Sequence, residues 1–543
     1  MSISRQIDVV RKTRWSNVAT RRRQCATSLM FPASSVLPLL ILSAVLVAGC
    51  ATTPRPSPTD SQSLSAESVQ VLDRISWGIN PSSAREVART GIAAYVSSQL
   101  KPDAKPDLPD AVAAQIAALT ISQQPLQPLI EQLERQRKDG DALKDDDEKK
   151  AARRAYQQEL TRLGREASTR ALLRALYSSN QLREKMTWFW FDHFNIHQSK
   201  ANLRAMVGDY EDRAIRPHAL GRFKDLLRAV IHHPAMLIYL DNTRNATGRI
   251  NENLARELME LHTLGIGGGY SQNDVQELAR ILTGVGVNLD SGAPNVRPAL
   301  KAQYVRDGLF EFNPNRHDYG DKQFLGQRVR GEGMKEVDAA LDRLAALPST
   351  ARFISRKLAI YFVSDDPPAA LVERMASEFE RNDGDIAATL AVVFAAPEFT
   401  ASLGRKFKDP IHYVISAVRL AYDDTPILNA GPMINWLNRM AEPLYGHQTP
   451  DGYPLTSAAW TSPGQLATRF EIAKAIGTGN AGLFRGDGVN AAERRAVPQL
   501  SNAFFREYFQ PRLSPPTVAA LDQASSPQEW NIFLLASPEF MNR

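Results

Sequence analysis

The sequence contains very little cysteine. Two cysteines, Cys25 and Cys50, occur among its 543 residues, and both lie near the N-terminus. No disulfide can therefore form within the chain beyond residue 50, and no pair of thiols exists there for redox chemistry or for binding a metal. We expect the folded part of the chain to depend on a hydrophobic core for its stability.

An excess of charge of one sign is also missing from most of the chain. The net charge is +6 and the isoelectric point is about 9.1, which is typical of proteins that bind nucleic acids. However, seven of the 65 basic residues and only one of the 59 acidic residues lie within residues 1–50. Since the remainder is formally neutral, it lacks the positive charge needed to bind phosphates, and we expect no nucleic-acid partner.

The N-terminal apolar segment, residues 36–47, is too short to span a bilayer, which requires roughly 20 apolar residues. Arginines precede this segment, and the sequence VAGC, which ends at Cys50, follows it. This order is similar to that of a bacterial lipoprotein export signal. We predict that residues 1–49 are a signal peptide and that Cys50 becomes the lipidated first residue, which attaches the protein to a membrane. An uncleaved anchor, or cleavage after another small residue, is the alternative.

Two further features refine this location. Residue 51 is alanine, whereas aspartate there would favour retention in the inner membrane of enteric-type bacteria, so we expect the outer membrane. Residues 50–66 are rich in proline, serine and threonine and show no apolar periodicity. This composition predicts a tether between the lipid and the folded body.

Helical periodicity dominates the rest of the chain. We predict that residues 67–543 form a mainly α, single large multi-helix globular domain with a small β-hairpin. The hairpin is expected from the loosely alternating residues 303–312 and a short return strand at residues 323–325. Residues 131–166, within a helical stretch predicted over residues 126–176, are rich in charge, which is typical of a solvated helical insertion that projects from the body.

The strongest candidate for chemistry is the amphipathic helix predicted over residues 251–265, whose polar face carries Arg256, Glu257 and Glu260. Two carboxylates one turn apart are a candidate general acid and general base, with Arg256 fixing the substrate or tuning a carboxylate. Equally, Arg256 has the spacing of an ion pair with Glu252 and Glu260, which would make this face structural.

A glycine-rich turn and a second helix follow. Ser271 with Asp274 is predicted to form a capping box that begins the second helix. His262, near the turn, is a further catalytic candidate, and so is His317, which neighbours Asp318 in a polar cluster. A turn stabilised by Asp318 is the simpler interpretation of that cluster.

The aromatic segment 188–197 contains His193 and His197, which are four residues apart and therefore spaced to share a zinc ion on one helix face. The protease form of this motif needs glutamate directly after the first histidine, where the chain has Phe194. A hydrogen-bonded core histidine is the favoured interpretation of His193, and we predict no metal site. No motif indicates a cofactor.

The binding candidates are polar or aromatic residues in these motifs and in a Gly/Pro-rich loop near residue 450. That loop is typical either of a sugar-binding cleft or of a surface loop that packs against itself. The candidates are Asn251, Asn253, His193, Asp318, Asp451 and Trp460.

Taken in order, these segments resemble the bacterial domain-of-unknown-function family 1800, an exported and envelope-associated group. The resemblance rests on residues 72–81, 190–194, 251–270, 317–326, 408–410 and 450–460. It covers nearly all of the chain from about residue 72, with residues 138–153 as a local insertion. It implies a mainly helical exported protein, often encoded beside a second exported family. It implies no activity, cofactor or catalytic residue.

Two functions of different class remain open. The favoured one is a noncatalytic binding or assembly role at the cell envelope, in which aromatic loops hold a glycan or another exported protein. The alternative is an envelope hydrolase or transferase that acts on a polysaccharide or other polymer, with Glu257 and Glu260 as its acid–base pair. The absence of a nucleophile motif such as Gly-x-Ser-x-Gly favours the first function. The clustering of unlike polar residues favours the second.

Overall fold

The computed structural model describes residues 64–102, 107–290, 292–486 and 496–543. The predicted signal peptide, Cys50 and most of the predicted tether lie outside the described residues. The described residues belong to one compact unit and are mainly helical, which confirms the predicted fold class. Among them, no helix has both the length and the apolarity required to cross a bilayer.

The helices of the N-terminal half are mostly short and are separated by tight turns. They are α1 (Ala66–Ile75), α2 (Pro81–Thr90), α3 (Ile92–Leu100), α4 (Asp110–Ala117), α5 (Thr120–Gln123), α6 (Leu126–Ala142), α7 (Asp146–Tyr177), α8 (Gln181–His193), α9 (Val207–Asp209), α10 (Phe223–Ile231), α11 (Pro234–Tyr239), α12 (Asn253–Glu260) and α13 (Gln272–Ile281). Side chains cap several of them, as Ser65 does for α1. A π-helical turn, Tyr210–Ile215, continues α9.

The helices of the C-terminal half often begin with proline, which lacks the amide hydrogen that a first helical turn leaves unpaired. They are α14 (Met334–Ala346), α15 (Pro348–Phe362), α16 (Ala369–Arg381), α17 (Ile386–Phe394), α18 (Pro397–Ser402), α19 (Pro410–Tyr422), α20 (Gly431–Arg439), α21 (Pro463–Gly477), α22 (Ala503–Tyr508), α23 (Pro515–Asp522) and α24 (Pro527–Leu535). Helix α15 packs against α16, and α21 packs against α24.

The strands are short and antiparallel. They are β1 (Val285–Val287), β2 (Val305–Asp307), β3 (Phe310–Phe312), β4 (Lys322–Phe324) and β5 (Gln327–Val329). The predicted strand over residues 303–312 is itself a hairpin, because Gly308 has a positive φ and turns β2 back onto β3. The predicted return strand was wrong in its partner, since β4 pairs with β5, while β3 pairs with β1 and β2.

The charged segment forms two helices that pack against each other, α6 and α7. The continuous helix predicted here is interrupted after α6, and the Asp145 side chain caps the start of α7 by accepting hydrogen bonds from two backbone N–H groups. The later part of α7 is buried, with Leu160 and Leu163 both inaccessible to solvent. The charged run of residues 144–150 therefore lies at the mostly exposed start of α7.

Helix α8 lies in the interior and is buried on every side. Phe189, Trp190 and Phe191 are all at most 1% exposed. The consecutive aromatic residues 188–191 cover every side of this part of α8, so it has no face that favours solvent. Its last two residues, Asp192 and His193, are therefore carried into the core.

Candidate functional site

Four parts of the chain bring titratable side chains together. They are the end of α8, α12 with the turn after it, α15, and the loop of residues 446–454. We call the following side chains the central polar site, because each contacts another member or acts on it through its charge: Asp192, His193, Glu257, His262, Lys357 and Asp451. The first two and His262 are buried, whereas Glu257, Lys357 and Asp451 contact solvent. The site therefore extends from the core to the surface.

His193 links two of these parts. Its Nε2 lies 3.0 Å from the carbonyl oxygen of His262, and its Nδ1 lies 3.0 Å from Nζ of Lys357. A carbonyl oxygen only accepts, so Nε2 carries the proton. Burial, followed by the positive charge of Lys357, lowers the pKa of His193 well below its ordinary value. The ring is therefore neutral, and Nδ1 accepts a hydrogen bond from Lys357.

The contacts of His193 argue against a zinc ion shared by His193 and His197. Both ring nitrogens of His193 are engaged within the protein, so neither is directed at a metal shared with His197. Within the described ranges, no group of three or more His, Cys, Asp or Glu side chains is arranged to hold a metal ion. His193 has the contacts of a hydrogen-bonded core histidine.

His262 is fully buried in apolar surroundings. Its ring lies 5.9 Å from that of His193 and 5.1 Å from that of Phe194, measured between centroids. Neither nitrogen makes a well-formed hydrogen bond, although the backbone of Pro450 has a small stabilising effect on the protonated ring. Burial lowers the pKa of His262 to about 3. It is a neutral packing residue at ordinary pH.

Asp192 joins α8 to the loop. Its Oδ1 accepts a hydrogen bond of 2.6 Å from the backbone N–H of Tyr453. Burial raises the pKa of Asp192 to about 7, although the Tyr453 N–H and the charge of Lys357 act in the opposite direction. Near neutral pH, Asp192 is therefore able both to release and to take up a proton.

Glu257 differs from its neighbours on α12. Among the described residues, no group forms a hydrogen bond or an ion pair with its half-buried carboxylate. Burial raises the pKa of Glu257, and the negative charges of Glu260 and Asp451 raise it further, although the charge of Arg256 acts in the opposite direction. The nearby Asp451 carboxylate, by contrast, accepts a hydrogen bond of 2.5 Å from the Thr449 hydroxyl and lies 3.2 Å from His447.

Arg256 and Glu260 form the predicted structural lattice. Arg256 lies 2.9 Å from Glu252 and 3.3 Å from Glu260, and it also donates to the Gln272 side chain at 3.0 Å. These are i,i+4 ion pairs of the expected spacing. The two proposed acid–base carboxylates are therefore unequal, because Glu260 has a cationic partner and Glu257 does not.

His317 belongs to a different cluster. Its Nε2 contacts the Glu336 carboxylate, which also accepts a hydrogen bond of 2.9 Å from Lys322, and its Nδ1 contacts Thr283. Nothing among the described contacts joins His317 to Glu257. The neighbouring Asp318 pairs with an arginine of α13 and accepts from the backbone of a turn. The structure therefore does not bring His317 into the central polar site.

The remaining predicted binding residues have local structural contacts. Asn251 accepts from the N–H of Asn253 at the start of α12, and Asn253 donates to the Leu240 carbonyl. Trp460 is 6% exposed, and its indole N–H donates to the Pro454 carbonyl at 3.0 Å. Each of these residues fixes a loop or a helix start.

Residues 70–542 match a family model described as "Protein of unknown function (DUF1800)". The chain belongs to the DUF1800 family. No curated protein and no solved structure matches it. Three of the segments on which the resemblance to DUF1800 rests, residues 190–194, 251–270 and 450–460, contribute to the central polar site.

Sequence reasoning missed Lys357 in this DUF1800 chain. On α15, Lys357 lies one helical turn from Phe353 and from Tyr361, and the apolar residues 358–362 follow it. A charged residue among apolar neighbours on a helix that must pack indicates a buried cation, and this pattern was the available signal. Asp192 lies within the aromatic segment 188–197, but its burial depends on how α8 packs, which the sequence alone does not show.

A separate cleft of about 930 Å³ was also missed. The π-helical turn, α10 and the β2–β3 hairpin border it, and its lining includes the adjacent pair His232 and His233. His233 lies 3.2 Å from Asp209, and His232 stacks on Phe310 with 4.8 Å between centroids. The charged groups of the cleft largely pair with one another, so the central polar site is the stronger functional candidate of this DUF1800 protein.

Proposed function

We propose that the protein is an exported envelope lipoprotein with a noncatalytic role, and that its central polar site binds a hydroxyl-rich ligand such as an envelope glycan. The single observation that supports the binding role is the Glu257 carboxylate. It is half-buried and lacks a hydrogen-bond donor among the described residues. Buried carboxylates normally accept hydrogen bonds, so a carboxylate without donors suits hydroxyl groups supplied by a ligand.

The surroundings of Glu257 support the same ligand class. Asp451 lies close enough for its charge to act on Glu257 and on Tyr239. The Tyr239 ring is almost buried, and its hydroxyl donates to the Gln448 carbonyl, which holds the loop against α11. The surface of the site is therefore rich in acceptors, which match the many hydroxyl donors of a sugar.

The alternative function is an envelope hydrolase or transferase that uses Glu257 and Glu260 as an acid–base pair. The raised pKa of Glu257 supports this alternative, because a general acid must keep its proton near the working pH. The ion pair between Glu260 and Arg256 argues against this alternative, because the Glu260 carboxylate already has a structural partner on the same helix. The binding role needs only Glu257 and is therefore preferred.

Calorimetric titration of the detergent-solubilised full chain tests this proposal. The ligands are soluble oligosaccharides prepared from envelope polysaccharides, with their reducing ends reduced to alditols. We expect binding that Glu257→Gln weakens at least about tenfold, which is about 1.4 kcal/mol. Glu252→Gln, beside the same helix, is the matched control and should bind as the parent does. Absence of binding to every oligosaccharide would overturn the proposal, and release of shorter oligosaccharides during the titration would favour the alternative.

The envelope location rests on the export-signal pattern before Cys50. Mass spectrometry of the protein from membranes should find a diacylglyceryl-modified Cys50 as its first residue. Cys50→Ser should release the protein from the membrane fraction, because the lipid provides the attachment. An unmodified N-terminus at another residue would remove the lipoprotein part of the proposal and leave the binding role to be judged separately.

A further inference from the structure

Lys357 differs from the other lysines of the interior. Lys185 donates to two backbone carbonyl oxygens, and Lys322, Lys406 and Lys408 each pair with a carboxylate. Lys357 makes no ion pair with a described carboxylate. Its hydrogen-bond partner is the neutral imidazole of His193 at 3.0 Å.

The geometry fixes how this amine is oriented. Since Nδ1 of His193 is an acceptor, Lys357 donates one of its N–H groups to that nitrogen. In the neutral amine the nitrogen lone pair then stays unengaged. Lys357 retains some solvent-accessible surface, and a small carbonyl compound has to approach the nitrogen from that side.

The charges that face Lys357 come from two elements. Asp192 of α8 and Asp451 of the loop act on it and favour its ammonium form. The aromatic ring of Phe353, on its own helix, lies 5.9 Å from Nζ, and the neutral ring of His193 lies on another side. Burial outweighs the two carboxylates and lowers the pKa of Lys357. A lysine desolvated in this way is the usual form of a nucleophilic amine.

We propose that Lys357 is a nucleophilic amine that forms an imine with aldehydes or ketones entering the central polar site. The lone pair of Nζ attacks the carbonyl carbon and forms a C–N bond. The two amine hydrogens and the carbonyl oxygen then leave as water, which yields a C=N bond without any change in oxidation state.

Imine formation by Lys357 is a further property beyond glycan binding by Glu257, and separate experiments can disprove each of them. A glycan with no free carbonyl group tests Glu257 and does not react with an amine. A small aldehyde tests Lys357 and offers few hydroxyl groups to Glu257.

Reductive labelling of the folded full chain with glycolaldehyde and cyanoborohydride at pH 7 tests the inference, with rates read at each lysine by peptide mass spectrometry. The neutral fraction of an amine rises about tenfold for each unit by which its pKa falls. We therefore expect Lys357 to be labelled at a higher rate than the exposed Lys335 and Lys474. Lys185, which is fully buried, reports unfolding and should stay unlabelled.

The labelling rate of Lys357 in the variant Asp192→Asn is a second test, because a lysine with only a structural role would show no change in this rate. The asparagine oxygen still accepts from the Tyr453 N–H, while the negative charge that favours ammonium is lost. Labelling of Lys357 should therefore become faster at pH 7, with the rate at Lys335 unchanged. A Lys357 rate equal to or below that of Lys335 in the parent protein would overturn the inference, whether or not the variant folds.

Discussion

At Glu257, burial and two neighbouring carboxylates raise the pKa together and outweigh the opposing charge of Arg256. A carboxylate that loses water without gaining a donor is less stable in its ionised form. Like charges three or four residues apart on a helix are destabilising by roughly 0.2–0.5 kcal/mol. Glu257 therefore reduces the stability of the folded protein above its pKa, which is typical of a residue kept for function.

We predict that Glu257→Gln raises the free energy of unfolding by roughly 0.2–0.5 kcal/mol at pH 8. The raised pKa of Glu257 means that its contribution to stability is present at low pH and is lost as the pH rises through the folded-state pKa. The gain should therefore be smaller at pH 4. Glu252→Gln, which breaks the pair with Arg256, should instead lower stability by about 0.3–0.5 kcal/mol. Urea unfolding at both pH values measures these effects, and a loss above about 1 kcal/mol in Glu257→Gln would show that the carboxylate is structural.

A second residue-scale prediction concerns the cluster of His317. The side chains of His317, Lys322 and Glu336 are at most 1% exposed. Glu336→Gln leaves the Lys322 ammonium buried without a counter-charge, and loss of one partner of a buried pair costs about 3–5 kcal/mol. Asp321→Asn, which breaks a solvent-exposed pair with an arginine, should cost about 0–1 kcal/mol.

Urea unfolding of both variants measures this difference. Equal small effects in the two variants would mean that Glu336 is not needed to neutralise the cluster. His317 would then again be a candidate functional residue.

At the scale of elements, the loop of residues 446–454 is the part that completes the central polar site. Gly452 has a φ of +77°, and a Cβ there would collide with the carbonyl oxygen of Asp192. Glycine is therefore required at position 452 for two reasons, which are the left-handed backbone conformation and the close approach to α8. The loop is positioned by this contact and by the hydrogen bond from the Tyr453 N–H.

We predict that Gly452→Ala is much more destabilising than Gly326→Ala. Gly326 has the same φ of +77° but has no atom within 4 Å of an added Cβ. The left-handed conformation alone costs an alanine roughly 1–2 kcal/mol, which is the expected loss at Gly326. The collision at Gly452 should add about 1–3 kcal/mol. Thermal unfolding of the two variants isolates this difference, and equal losses would show that the loop does not press against α8.

Local features of the elements could be predicted from the sequence. The ladder of Glu252, Arg256 and Glu260 and the capping box of Ser271 and Asp274 are present as predicted, because each depends on spacing within one helix. The length of α12 was overestimated, since it ends at Glu260 and irregular turns follow.

Features that depend on packing could not be predicted in this way. The pairing of β3 with β1 joins residues that are far apart in sequence, and the predicted return strand was given the wrong partner. Likewise, nothing in the spacing of residues places Lys357 beside His193, because 164 positions separate them. The sequence motifs therefore identified the residues of α8, α12 and the loop of residues 446–454, whereas the contact with Lys357 of α15 depends on the tertiary fold.

At the scale of the whole molecule, the interior contains many titratable groups held in one protonation state. Burial lowers the pKa of His193, His262 and His412, so these three histidines are neutral in the folded protein. Burial raises the pKa of Asp192, so this carboxyl keeps its proton to higher pH than in the unfolded chain. Stability therefore depends on pH through terms of opposite sign.

The sign of each term follows from where the protons bind. A histidine whose folded-state pKa is lowered contributes stability above its unfolded pKa, and this contribution is lost as the pH falls. For His262 the window runs from the ordinary value of 6.5 down to about 3. Asp192 acts oppositely, because its contribution is lost as the pH rises from 3.8 to about 7. Within these windows each group changes the stability by at most about 1.4 kcal/mol per pH unit.

We therefore predict opposite changes of slope for two variants when the free energy of unfolding is measured between pH 4 and 6.5. His262→Leu removes a group that takes up a proton only on unfolding, so its stability should fall less steeply as the pH is lowered. Asp192→Asn removes the compensating carboxyl, so its stability should fall more steeply. Because the prediction concerns slopes, a constant loss of packing energy in either variant does not affect it. Parallel curves for the two variants and the parent would show that these groups titrate alike in the folded and unfolded chains, and the buried setting assigned to the central polar site would then be wrong.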